Sequence, residues 1–458
     1  MIGWRALSRR CPSAVVDVGD AGAAPTRLEE VTIPTPPAPT GPQAGGANAQ
    51  RSRIDVLRDS PNVRRYLIGG AVSFVGSFGQ GFAQVLLVLR LSDNKTAVPL
   101  IIALQTVPLL VLGTWGGTIA DRFDNRTVLL VTSVVSAAVA GVLGVFVSTG
   151  HASVLVVDIF AVLLGTVAVF ERPAAQAILS ELVPPDDVGA AVTMNAMLAP
   201  IARLLGPPLA SGLTAFAGLA FAFYGNALSY VVLLWALLRL RRSEMFPRRR
   251  ATARKGLVKA GFIYARHDPV VGPALFMMFV VGLAAFNFQS VLPLMSKFTF
   301  SLNPADSHDA GLTALVQTIS AVGSLFAGVA IGWIRKPTLA SQAIWAIVFG
   351  AVLMAFAASP SYWWWAAIAF PVGIVATGFT TLTTSILQSS TRPDMLGRVM
   401  ALFTIAFMGT TPLGAAAVAV LASTFNARAP FVVGGSVTVL GGVVLLLRSK
   451  RVVAVRPA

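Results

Sequence analysis

Four ionisable side chains lie inside long apolar stretches of this chain, and these are the residues best placed to do chemistry. Asp158, Glu171 and Arg172 share one stretch and Arg203 lies in the next. A charge at a helix centre in a bilayer costs at least roughly 2.5 kcal/mol, so each is a functional candidate. A carboxyl in such a place can bind and release a proton as its surroundings change between dry and wet. Asp158 is the first candidate for proton coupling and Glu171 the second. The competing roles are an idle carboxylate near the interface for Asp158 and a structural ion pair for Glu171. Arg203 can meet an anionic group of a ligand or pair with a carboxylate of the neighbouring stretch. Gln80 and Gln84 follow Gly76 at four-residue intervals, which puts all three on one helix stripe. Asn195 precedes Arg203 by two turns, and Asn287 and Gln289 lie in a later stretch. These are candidate cavity residues, with hydrogen bonding between helices as the alternative. Cys11 is the single cysteine, so an intrachain disulfide and a cysteine metal cluster are excluded, and His151, His267 and His308 fall near loops, which speaks against a histidine proton relay inside the membrane. There is no Gly-x-x-x-x-Gly-Lys-Ser/Thr loop for a nucleotide phosphate. No cofactor and no metal are expected.

The elements that must hold these residues follow from composition. Of 458 residues, 55% are hydrophobic and 12% charged, against roughly 25% charged in a soluble domain. The mean hydropathy is +0.75. A soluble enzyme, a nucleic-acid reader and a disordered chain are excluded, and an all-α integral membrane protein is expected. Twelve transmembrane helices are placed near 66–90, 97–120, 127–149, 153–180, 190–215, 218–240, 270–296, 309–334, 338–358, 362–389, 398–423 and 429–448. The net charge of +16 sorts by side: leaving out the far N-terminal tail, 25 Lys and Arg fall on the side of both termini, and only Arg90, Lys95, Lys297 and Arg428 on the other. By the positive-inside rule both termini are cytoplasmic, so the basic balance reports topology and no nucleic acid. The run Arg248–Arg250 is read the same way, with contact to anionic lipid as the alternative. Trp363, Trp364 and Trp365 are read as an interfacial belt.

The chain also repeats. Ser60-Pro61 and Asp268-Pro269 each open an apolar stretch, and Pro185-Asp186-Asp187-Val188-Gly189 matches Pro393-Asp394-Met395-Leu396-Gly397, both at an offset of 208. Six helices repeated in one orientation make two parallel halves with a path between them. The organisation expected is a disordered cytoplasmic tail over 1–50, an N-terminal six-helix half over 51–240 and a basic cytoplasmic linker over 241–268. A C-terminal six-helix half over 269–448 and a cytoplasmic tail over 449–458 complete it. After the second stretch the chain reads Gly117-Thr118-Ile119-Ala120-Asp121-Arg122-Phe123-Asp124-Asn125-Arg126. This resembles the 2–3 loop signature of the major facilitator superfamily in Gly117, Asp121, Arg122 and Arg126. Asp124 and Asn125 depart from it. Gly332-Trp333-Ile334-Arg335-Lys336-Pro337 is a degenerate second copy. Gly206-Pro207 resembles the helix 5 motif of drug–proton antiporters in that superfamily. Asp121-Arg122-Phe123-Asp124 and Leu396-Gly397-Arg398-Val399-Met400 are similar to its enterobactin-exporter-like and macrolide-efflux-like branch.

The resemblance implies the major facilitator fold and a latch formed by Gly117, Asp121, Arg122 and Arg126. In that latch Arg126 pairs with Glu171 in the outward-open state. It implies secondary transport, with a proton gradient as energy source: export of a small amphipathic compound, such as a drug, a macrolide or a siderophore-like product, by proton antiport with alternating access. An importer or uniporter of the same fold is the alternative, and a membrane-embedded enzyme or sensor a remote one. The partners expected are a small-molecule substrate, protons and the lipid bilayer. A monomer in the bacterial cytoplasmic membrane is expected.

Overall fold

A computed structural model describes residues 60–246 and 257–454, except 333, 335 and 336 and the side chains of 114, 116–121, 257–259, 290 and 450–454. The tail 1–50, the run Arg248–Arg250, and Trp333, Arg335 and Lys336 of the second motif copy lie outside the described residues. So do the side chains at Gly117 and Asp121.

The chain is helical in every predicted span. The helices are α1 (Pro61–Leu91), α2 (Ala97–Arg122), α3 (Asn125–Ser148), α4 (Val154–Ala177) and α5 (Val188–Ala196 and Leu198–Ala217). Next come α6 (Ala220–Leu238), α7 (Val271–Ala284 and Phe288–Phe298), α8 (Ser307–Gly332) and α9 (Leu339–Ala357). The last are α10 (Tyr362–Ser390), α11 (Leu396–Met408 and Thr411–Thr424) and α12 (Ala429–Ala454). Ten of them are long and apolar enough to cross a bilayer. The other two are α2, apolar over Ala97–Gly113, and the divided α7.

Three spans expected to be continuous are broken. Pro200 has no N–H for the Ala196 carbonyl, and α5 breaks at Met197. Pro412 has none for Met408, and α11 breaks at Gly409–Thr410. In α7 a side chain does the same work: Asn287 Nδ2 donates to the carbonyls of Gly282 and Leu283 at 3.5 and 3.4 Å. A further helix, Leu257–His267, lies in the expected linker and meets α7 at 105°.

The repeat is visible in the packing. In the first six helices, α1 packs on α5 and α6, α2 on α4, and α3 on α4 and α6. In the last six, α7 packs on α11 and α12, α8 on α10, and α9 on α10 and α12. Each pair of the second set is a pair of the first advanced by six helices. Close crossings obey the same 208-residue offset. A Cβ on Gly206 would stand 2.8 Å from the Gly79 nitrogen, and at Gly414 it would collide with Asn287. A Cβ on Gly165 would meet the Gln105 carbonyl of α2, and on Gly373 the Ser320 carbonyl of α8; here the glycines keep the offset and the partners, 215 apart, lie two turns further along. Without a hydrophobic driving force between helices in lipid, such small residues set how closely backbones approach. The two sets meet through α5 on α8 and α2 on α11.

One expectation is corrected at the start of α10. Trp363 and Trp364 are exposed, as a belt requires, but Trp365 is fully buried and stacks on Phe356 with centroids 5.4 Å apart. Adjacent residues on a helix point about 100° apart, so three consecutive tryptophans cannot share one face.

Candidate functional site

The first six helices enclose a cavity of about 220 Å³ with a mixed lining. Tyr66, Phe74 and Phe78 of α1 and Tyr230 of α6 supply aromatic wall, and Gln80, Gln84, Gln105, Asn195 and Asn226 supply amides. Glu171 and Arg172 of α4 are its charged lining residues. α4 presents them together with Leu164, Ala168 and Ala175, a stripe at three- and four-residue steps.

Several polar groups here are already engaged. Asn226 Nδ2 donates to Gln80 Oε1 at 2.6 Å, and Gln84 Nε2 to the Val157 carbonyl at 3.5 Å. Tyr66 donates its hydroxyl to the Ala175 carbonyl at 3.2 Å, and the Tyr230 and Ser77 hydroxyls are 3.1 Å apart. Gln80 and Gln84 therefore tie α1 to α6 and α4 while facing the cavity. Asn195 faces the cavity, and its side chain makes no hydrogen bond among the described residues. Arg172 reaches across to α11, its Nη1 3.7 Å from the Met408 sulfur.

The remaining sequence candidates lie elsewhere. Asp158 is absent from the lining, and its Oδ1 is buried without a partner. Arg203 has a buried Nε without a partner and stacks over Phe78 at 5.7 Å. No carboxylate of the described residues pairs with it. Asn287 is buried at the α7 break, against Gly414, with its Oδ1 unpartnered. Gln289 is exposed two residues beyond. The structure thus gathers Gln80, Gln84, Asn195 and Glu171, and sets Asp158, Asn287 and Gln289 apart. Gly206 and Pro207 are buried, Gly206 in the α1 crossing.

At the 2–3 loop the Arg126–Glu171 pair expected of the outward-open state is not formed in this conformation. Arg126 donates to the carbonyls of Leu237 and Leu238, at 2.9 and 3.0 Å, capping the C-terminal end of α6. Beyond α4 a short helix carries the chain on to Leu182, so Glu181 stands at that end and Glu171 nearly three turns deeper. Asn125 Nδ2 donates to Glu181 Oε1 at 2.6 Å. The motif departures acquire roles: Asn125 engages Glu181, and Asp124 caps α3 through Thr127 N at 3.2 Å. Arg122 is exposed.

The opposite end, where α1 joins α2, is closed between the two sets of helices. Lys297 of α7 donates to the carbonyls of Leu89 and Ser92 at 2.6 and 3.1 Å and pairs with Asp93 at 2.6 Å. Arg90 donates to the Pro304 carbonyl at 2.7 Å. The Lys297 ammonium holds the Asp93 carboxyl below the usual range, through its hydrogen bond and then its charge. Sequence reasoning counted Lys297 and Arg90 only toward topology. Their position at the ends of α7 and α1, 207 residues apart and so near the repeat offset, was the signal available. Tyr66, Tyr230 and Asn226 were also missed, though Asn226, Ser229 and Tyr230 form a polar stripe on α6.

A family profile described as transmembrane secretion effector matches residues 61–455. The staphyloferrin A transporter of Staphylococcus aureus is 26% identical over 58% of this chain and 66% of its own length, just under two thirds. The uncharacterized MFS-type transporter YfiS of Bacillus subtilis is 23% identical over 86% of this chain and 95% of its own. Among solved structures, a peptide transporter in complex with sulfate aligns with a TM-score of 0.67 at 13% identity, covering 88% of this chain and 98% of that one. A nucleoside transporter aligns at 0.66 and 10% identity, covering 84% and 99%. These last two likenesses concern the fold.

Proposed function

Because the chain belongs to the transmembrane secretion effector family of major facilitator transporters, we propose that it exports a small amphipathic compound in exchange for protons. The observation that carries the coupling is Glu171, the one acidic residue among those lining the cavity, with Arg172 beside it. Both termini are cytoplasmic in this reading, supported by the 25-to-4 division of Lys and Arg. The Lys297 closure is then on the outer side, and the conformation faces the cytoplasm. The chain works as a monomer in the bacterial cytoplasmic membrane.

The substrate enters from the cytoplasm and places an apolar part against Tyr66, Phe74, Phe78 and Tyr230. Its polar groups meet the amides, Asn195 first, since that amide is unengaged. A volume of about 220 Å³ is below the roughly 300–1,000 Å³ of pockets that hold a whole ligand. The cavity therefore holds one part of the substrate, with the rest in the space between the two sets of helices. Rocking of the sets opens the outer side. There Glu171 takes a proton as substrate leaves. On return it releases that proton to the cytoplasm, and the next substrate binds the deprotonated form. Each cycle moves one substrate out and one proton in. The similarity to a staphyloferrin A transporter supports a siderophore-like compound as the first substrate to try.

The test is transport in proteoliposomes with an imposed pH gradient and a panel of siderophores, macrolides and dyes. Inside-out vesicles with an acidic interior should accumulate substrate. Glu171→Gln should keep substrate exchange at equal pH and lose accumulation. Accumulation that survives in Glu171→Gln, or flux indifferent to the gradient, would refute the coupling. The second result would favour a uniporter.

A further inference from the structure

The last six helices carry a groove that the transport reading does not use. It has a volume of about 740 Å³ and lies between α7, α11, α12 and the helix Leu257–His267. Its walls are apolar: Phe262, Phe276, Phe279, Leu402, Ile405 and Val444. Phe262, Phe276, Ile405 and Val444 are each at least half exposed, so the groove opens on the outside of the bundle. None of its lining residues lines the cavity of the first six helices.

Two cations stand at the end of the groove nearest the 2–3 loop. Arg266 closes the Leu257–His267 helix and Arg448 lies near the end of α12, and both line the groove. Both are exposed, and among the described residues neither has an ion pair or a side-chain hydrogen bond. The helix bearing Arg266 turns 105° from α7, so it runs across the bundle end, as an interfacial helix does. It is held there by close packing: a Cβ on Gly261 would stand 3.0 Å from the Arg398 Cβ of α11. An apolar slot with two unpaired guanidinium groups at its mouth is complementary to a chain with a phosphate at one end.

We propose that this groove binds an anionic phospholipid of the leaflet at the 2–3 loop end, with one acyl chain in the slot and its phosphate between Arg266 and Arg448. The bound lipid braces the Leu257–His267 helix against α7, α11 and α12. The connection between the two sets of helices is thereby stabilised only when the membrane supplies the lipid.

The experiment is native mass spectrometry of the purified full-length protein with added phosphatidylglycerol or phosphatidylcholine of matched chains. The expected result is at least a fivefold preference for phosphatidylglycerol. Arg266→Gln with Arg448→Gln should reduce that preference to near unity, and the Arg→Lys pair should restore most of it. Val444→Trp keeps both cations and fills the slot, and should weaken binding of both lipids there. Inorganic phosphate at millimolar concentration should not displace the lipid. Equal binding of the two lipids by the wild type would overturn the proposal without any variant having to fold. A preference that survives loss of both arginines would also overturn it, and displacement by phosphate would mean a free-anion site.

Discussion

Replacing Lys297 with methionine should open the end of the molecule that this structure holds shut. The ammonium is only 17% exposed and joins the C-terminal carbonyls of α1 to α7 through bonds of 2.6 and 3.1 Å. A positive charge there also meets the negative end of the α1 dipole. Hydrogen bonds to a charged group contribute ~1.5–3 kcal/mol each. On opening, water takes over much of that role, so the net bias toward the closed state is about 1–2 kcal/mol for the two together. Since 1.4 kcal/mol is tenfold in a population, Lys297→Met should raise the ratio of open to closed roughly 5- to 30-fold. Asp93 is 94% exposed, so its own contribution is screened by solvent and salt. Asp93→Asn should therefore move the ratio less, and that effect should fade at high salt. The assay is double electron–electron resonance between spin labels at His151 and Ser423, both exposed at this end, in a Cys11→Ser background. A ratio that changes less than twofold in Lys297→Met would refute the argument that these carbonyl contacts hold the closure.

Three further outcomes are expected. The carboxyl of Asp93 is held below its ordinary value, so its contribution to closure is present above that value, about 3.9. It is lost only as pH falls through the lowered one, so Asp93→Asn should leave the pH dependence of the label distances between roughly pH 5 and 8 unchanged from that of the wild type. Gly206→Val puts a side chain 2.8 Å from the Gly79 nitrogen and the Phe78 Cβ, and should destabilise by ~1–3 kcal/mol, read as a lower Tm in detergent. Asn226→Leu alone leaves the buried Gln80 amide oxygen unpaired, at a cost of about 1–3 kcal/mol. Adding Gln80→Leu should recover part of that loss, and strict additivity of the two substitutions would show that the bond is not a coupled pair.

Much of the fold was legible because a bilayer enforces it. A backbone in lipid must satisfy its own hydrogen bonds, so long apolar runs can only be helices. The run lengths, the charge on each side and the offset of 208 then give twelve helices in two sets. Proline supplies the breaks in α5 and α11, which could have been read from Pro200 and Pro412. The break in α7 could not, because it depends on where the Asn287 amide finds the carbonyls of Gly282 and Leu283.

The site divides in the same way. Sequence determined which side chains are costly in a membrane: Asp158, Glu171, Arg172, Arg203 and the amides of α1. It could not determine which of them face a common space. Glu171 and Asp158 share one helix, yet a difference in angular position and depth puts Glu171 in the cavity and leaves Asp158 outside its lining. Arg126 and Glu171 have suitable charges, and sequence could not show that in this conformation the extra turn through Leu182 brings Glu181 to the 2–3 loop. Lys297 and the ends of α1 are distant in sequence and meet only because α7 packs beside α1 and α2. Composition fixes the cost of burying a group, and partner, depth and facing are properties of the packed helices alone.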